Sequence, residues 1–133
     1  MYRGANWLTA ALFIASLSLS DCDMCRNSVM RQIKSPDRQY QAVIFERDCG
    51  ATSDFSTQIS IIRADKSLRQ NEVGNIFRAD SDHGAVPVDA KGLIAVDVQW
   101  VDKRTLSIAY PAKARVFSHE PTAGDVAVRY SIE

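Results

Sequence analysis

The chain has 133 residues, 46% of them hydrophobic and 24% charged, which is enough for one globular core and too little for several. Its 16 basic and 16 acidic residues cancel, so there is no cationic surplus to release phosphate counterions, and electrostatics argue against a nucleic-acid partner. Charges are interspersed, with no block that marks a disordered tail and no internal repeat.

In chain order, the first signal is a targeting segment. Arg3 precedes an uncharged run of 13 residues, WLTAALFIASLSL at 7–19. A bilayer-spanning helix needs roughly 20 apolar residues, whereas the apolar region of a secretory signal has about 7–15. Residues 1–21 therefore read as a signal peptide, which places the mature protein outside the cytoplasm, in the periplasm or at the membrane. Two processing routes fit. Ser18 and Ser20 are small residues at the −3 and −1 positions of an ordinary cleavage before Asp21. Alternatively, Leu19-Ser20-Asp21-Cys22 resembles a bacterial lipobox with Asp21 in place of a small residue, and Cys22 becomes the acylated N-terminus.

Cysteine parity bears on that choice. Cys22, Cys25 and Cys49 cannot all pair within one exported chain. Acylation of Cys22 leaves Cys25 to pair with Cys49, a bond that contributes on the order of 3 kcal/mol by the chain-entropy estimate. The expected disulfide is Cys25–Cys49; Cys22–Cys49 stays open if the ordinary peptidase cuts. Cys22 and Cys25 have zinc-knuckle spacing, but only Cys49, His83 and His119 remain as further ligands and none form a second pair. The Cys-x-x-Cys pair also follows a leader rather than a strand, against a thioredoxin-like motif. No metal site and no cofactor are assigned.

Residues 22–35 carry Met24, Val29, Met30 and Ile33, a spacing that fits one short helix or a loose tether. Ser35-Pro36-Asp37-Arg38 then forms a turn, with Pro presetting φ and the Ser and Asp side chains bonding nearby backbone. The rest, 36–133, reads as one β-domain. Strands are expected at 40–48 (YQAVIFERD), 56–64, 74–80, 93–101, 105–111, 114–120 and 125–133. Period-2 alternation is clearest where Ile94, Val96, Val98 and Trp100 share one face, and where Val126, Val128, Tyr130 and Ile132 do. Six or seven short strands without helical periodicity predict a mainly β fold, an antiparallel sandwich or an open barrel.

The stretches SPDRQYQAVIFERDCGATSDFSTQISI (35–61) and VQWVDKRTLSIAYP (98–111), about a third of the chain, resemble a family of small bacterial exported proteins that includes many predicted lipoproteins. Family members share a Ser-Pro-Asp turn, a Tyr-x-Ala strand, a Cys-Gly-Ala-Thr loop and a later Trp-x-Asp and Leu-x-Ile pair; Arg38 stands where they tend to have Gly. The resemblance implies export and β-structure, and no assigned activity.

Three clusters bear on chemistry. Cys49, in the polar loop 49–54, would be a nucleophile only with a base such as His83 or His119. A disulfide at a strand end followed by the Gly50 turn is the favoured reading. Asp80-Ser81-Asp82-His83 is an oxygen-rich loop of the kind that suits Ca²⁺, but without the EF-hand's closing Glu, and solvated turn residues explain it as well. Trp100 and Tyr110 read as core packing. With no coherent catalytic set, the expected function is a non-catalytic envelope domain that binds an unidentified envelope protein or ligand and meets the membrane only through a lipid on Cys22. The alternatives are a small hydrolase or thiol enzyme using Cys49 with a histidine, and a metal-binding module at Asp80–His83.

Overall fold

The computed structural model describes residues 25–50 and 55–133. The signal segment and Cys22 lie outside these residues, as do residues 51–54 of the loop after Cys49. The described chain contains nine strands: β1 (Arg26–Lys34), β2 (Tyr40–Asp48), β3 (Ser56–Arg63), β4 (Phe77–Asp80), β5 (Asp97–Asp102), β6 (Thr105–Tyr110), β7 (Arg115–His119), β8 (Thr122–Ala123) and β9 (Val126–Ile132). They form two sheets, β1-β2-β3-β4-β7 and β5-β6-β9-β8. The architecture is a sandwich and not a barrel.

The layer between the sheets comes from period-2 alternation. Ala42, Ile44, Ile59, Ile61, Phe77 and Ala79 of the first sheet meet Val98, Leu106, Ile108, Val126 and Val128 of the second. Trp100 and Tyr110 pack at the margin of this core. Phe77, Tyr110 and Tyr130 form an aromatic cluster, with centroids 5.3 Å apart for Phe77–Tyr110 and 6.2 Å for Phe77–Tyr130. Two side-chain bonds fasten the second sheet and the segment before β5 to the first sheet. The Trp100 indole N–H donates to the Ile33 carbonyl at 2.8 Å, and the Ile94 amide donates to Thr57 Oγ1 at 3.0 Å.

The expectation of a helix or tether over 22–35 requires correction, since from Arg26 onward this segment is strand β1. A bulge explains the misleading pattern. Val29 pairs with Phe45 and Arg31 with Ile44, leaving Met30 as an extra residue. Such an insertion breaks the alternation of side chains across the sheet, and it gives Val29, Met30 and Ile33 a helix-like spacing. A second difference concerns strand direction. β6 and β9 run parallel, whereas every other pairing among the described strands is antiparallel. After β6 the chain crosses to the first sheet as β7, and the β8 reversal brings it back beside β6 in the same sense.

β2 is buried on both faces. Ala42 and Ile44 look into the sandwich, while Val43 and Phe45 look away from it, yet both are 0% exposed. Their cover is the segment 64–76, which joins β3 to β4. Polar side chains hold it down. Asn27 Nδ2 donates to the carbonyls of Arg69 and Glu72 at 2.9 and 2.6 Å, and Gln41 Nε2 to that of Lys66 at 2.8 Å. Gln58 Oε1 accepts the Gly74 amide at 2.7 Å, and Ser60 Oγ the Asn75 amide at 3.1 Å. The Asn75 side chain pairs with both backbone groups of Ile61, at 2.9 and 2.8 Å, as a further strand would. Gly74 is required there, because a Cβ would lie 2.7 Å from the Phe77 carbonyl oxygen.

Candidate functional site

Cys49 is bonded to Cys25. Arg26 faces Asp48 at the end of the β1–β2 ladder, so Cys25 and Cys49 are the next opposed pair, and the disulfide closes the open end of the hairpin. A sulfur in that bond supplies no thiolate. His119 lies on edge strand β7 opposite Phe77 and packs edge-on against Tyr130, 5.5 Å between centroids. His83 follows β4, with Nε2 3.4 Å from Arg115 Nη1. The residues of the thiol-enzyme reading therefore belong to three separate structural contacts.

The Asp80 loop is organised around a guanidinium. Asp80, 4% exposed, accepts from Arg115 Nε at 3.0 Å and also from Nη2. Its Oδ1 further accepts the Asp82 amide at 2.9 Å. Burial pushes the Asp80 carboxyl up, but the Arg115 and Asp82 hydrogen bonds, with the charges of Arg115 and His83, together outweigh it and hold the group below its ordinary value. Asp82 and His83 adopt φ of 50° and 55°, so the loop coils tightly around this pair. A divalent cation bound there would have to displace Arg115 from the buried carboxylate. Among the described residues, no three His, Cys, Asp or Glu side chains are grouped to hold a metal ion.

A different place is built like a binding site. The start of β2, the end of β3, the segment 64–76 and the β8–β9 turn enclose an open groove of about 500 Å³, lined by Tyr40, Arg63, Lys66, Arg69, Asn75 and Gly124 among others. Tyr40 is its anchor. The Tyr40 hydroxyl donates to Asp125 Oδ1 at 2.7 Å, and guanidinium carbons lie over its ring at 5.3 Å (Arg63) and 5.0 Å (Arg104). Arg104 is neutralised twice, by Asp37 at 2.9 Å and Asp125 at 3.2 Å. Asp125 is held below its ordinary value chiefly by the Tyr40 hydroxyl, whose hydrogen bond outweighs the upward push of burial, with Arg104 adding a smaller downward pull. This network joins the β1–β2 turn of the first sheet to the β5–β6 and β8–β9 turns of the second.

The Ser-Pro-Asp turn sets its geometry. Ser35 Oγ donates to Asp37 Oδ1 at 2.8 Å and accepts the Tyr40 amide at 3.1 Å, while Asp37 Oδ1 accepts the Gln39 amide at 3.2 Å. Asp37 Oδ2 remains directed at Arg104. Sequence reading missed the groove because its residues come from three distant segments. The one local signal was the polar run at 63–72, RADKSLRQNE, with three cations against two carboxylates.

Comparison with protein-family models, with curated proteins and with solved structures finds no match to this chain.

Proposed function

We propose that this protein is a non-catalytic β-sandwich of an oxidising, extracytoplasmic compartment, exported by the 1–21 segment and acting there as a binding domain of the cell envelope. The observation that carries the reading is the Cys25–Cys49 disulfide, because such bonds persist in exported proteins and are rare in the reducing cytosol. The likeness of 35–61 and 98–111 to small exported bacterial proteins points the same way. In this reading Cys22, three positions before Cys25, is the acylated residue, and the lipid tethers the domain to the membrane.

Fractionation of the native host, with peptide mapping of the non-reduced protein, tests this. The expected result is a Cys25–Cys49 peptide and an acylated N-terminal Cys22 in the membrane fraction. Full-length chain in the cytosol with freely alkylated Cys49 would overturn it.

A further inference from the structure

The two guanidiniums on Tyr40 are in unequal situations. Arg104 has two carboxylates, Asp37 and Asp125. Arg63, on the groove side, has no ion-pair partner among the described residues, and neither does Lys66. The remaining cation of the groove, Arg69, lies 3.5 Å from Glu72 and is thereby offset. Asp65, between Arg63 and Lys66 in sequence, does not line the groove. Two positive charges thus line one concavity without an ion-pair partner among the described residues, the lining carboxylate Glu72 being paired with Arg69.

Their supports are ordered. The Arg63 guanidinium carbon lies 5.3 Å from the centroid of a ring whose hydroxyl is fixed by Asp125. Lys66 follows a turn closed by its own amide on the Arg63 carbonyl at 3.0 Å, and its carbonyl is held by Gln41. A guanidinium carries its donors in a planar fork that matches an oxyanion bidentately, and an ammonium adds a point charge. Ile62 and Ala123 provide an apolar side.

We propose that this groove binds a phosphate monoester, with Arg63 taking two phosphate oxygens, Lys66 a third, and the esterified group lying along Ile62 and Ala123. The charge selects the class. A monoester carries about −1.5 to −2 at neutral pH, matching two unneutralised cations, whereas a carboxylate matches one. The proposal names a ligand for the binding domain inferred above, and it rests on that reading only for where the ligand is met. Two sources share this chemistry, a soluble phosphorylated compound and a phosphatidic-acid headgroup.

The test uses purified full chain, so its outcome is independent of localisation. Glycerol 3-phosphate is titrated at constant ionic strength while backbone amide NMR shifts are followed. Saturable shifts at residues 63–75 and 123–124 are expected, weakened about tenfold or more in Arg63→Gln and in Lys66→Gln and unchanged in Lys113→Gln. Lys66 is exposed, so its variant reads binding without loss of fold, and the melting temperature of each unliganded variant verifies this. Vesicles of phosphatidylcholine with and without phosphatidic acid separate the sources: binding that glycerol 3-phosphate competes away assigns the lipid headgroup, and absence of vesicle binding assigns the soluble compound. No saturable shift, an equal response to acetate, or an undiminished response in both variants would overturn the proposal.

Discussion

The two faces of the first sheet are covered by different means. Its inner face is closed by another sheet, through an apolar layer that includes Ala42, Ile44, Ile59, Ile61 and Phe77. Its outer face is closed by one segment, 64–76, over Val43 and Phe45, ringed by the buried polar side chains of Asn27, Gln41, Arg47, Gln58 and Ser60. Apolar layers are non-directional and tolerate small shifts, whereas hydrogen bonds fix position. The outer arrangement sacrifices apolar area for a loop held in one place, and that loop forms one wall of the groove. Segments of about 12–15 residues without regular structure are uncommon in compact domains and tend to serve binding. Here side-chain hydrogen bonds from β1, β2 and β3 pin such a segment along its length.

The strongest way to break this comparison is to empty each face in turn. Phe77→Ala and Phe45→Ala should each cost about 3–5 kcal/mol in denaturant unfolding, because both rings are 0% exposed. A cost below about 0.5 kcal/mol for Phe45→Ala, the range of surface substitutions, would mean that segment 64–76 does not seal the outer face.

Removing the disulfide comes next. Cys25→Ser with Cys49→Ser should lower stability by about 3 kcal/mol, measured against the wild type and against wild type under reductant. Since the bond closes the β1–β2 end, amide exchange should accelerate first in β1.

A smaller, localised effect is expected from Asn27→Ala. It removes the Asn27 donor from the carbonyls of Arg69 and Glu72, leaves Glu72 the longer bond from Arg47 Nη1 at 3.4 Å, and deprives Arg47 Nη1 of its 2.8 Å acceptor, at a cost of about 1–3 kcal/mol. Hydrogen exchange should rise across 66–75 while the Leu106 and Ile108 amides keep their protection. Uniform loss of protection would show that the two faces unfold as one unit.

The outer row has a second device beyond the loop, the Asp80–Arg115 pair. Its contribution should depend on pH. Asp80 titrates below its ordinary 3.8 when folded, so it binds a proton more readily unfolded. The stabilisation is therefore full above about pH 5 and is lost as pH falls through 3.8 toward the folded value. Acid titrations of stability for the wild type and Asp80→Asn should converge at low pH and diverge toward neutrality. Parallel curves would remove the pair from the outer face's account.

The smallest change belongs to neither face. Arg38 sits at φ 60° in the β1–β2 turn, a left-handed conformation disfavoured for residues with a Cβ. Arg38→Gly should therefore stabilise by under about 1 kcal/mol, the relief being partly offset by the freer unfolded chain. Thermal melting decides the sign, and destabilisation would show that the arginine side chain contributes through contacts.

Local sequence was sufficient wherever a physical cause acts over a few residues. Alternation along 93–101 and 125–133 placed Val98, Val126 and Val128 in the buried layer, since side-chain direction in a strand has a period of two. Ile94 is buried as well, but from the segment before β5, which begins at Asp97 and not at the expected residue 93. The Ser35-Pro36-Asp37 turn was legible because its bonds join residues two to five apart. Cysteine parity showed that one of three cysteines is left over, with Cys25–Cys49 expected and Cys22–Cys49 open, and the hairpin register brings Cys25 and Cys49 together.

Only the tertiary structure decided the rest. β1 was hidden because one bulge at Met30 shifts its register, and a bulge is stabilised by the partner strand rather than by its own residues. The parallel β6–β9 pairing depends on a crossover between sheets, which no local period records. Why Val43 and Phe45 are buried, and why Arg63 and Arg104 meet on Tyr40, depends on contacts between residues far apart in the chain. Composition and spacing hold no trace of which distant charges form ion pairs and which, like Arg63 and Lys66, form none among the described residues.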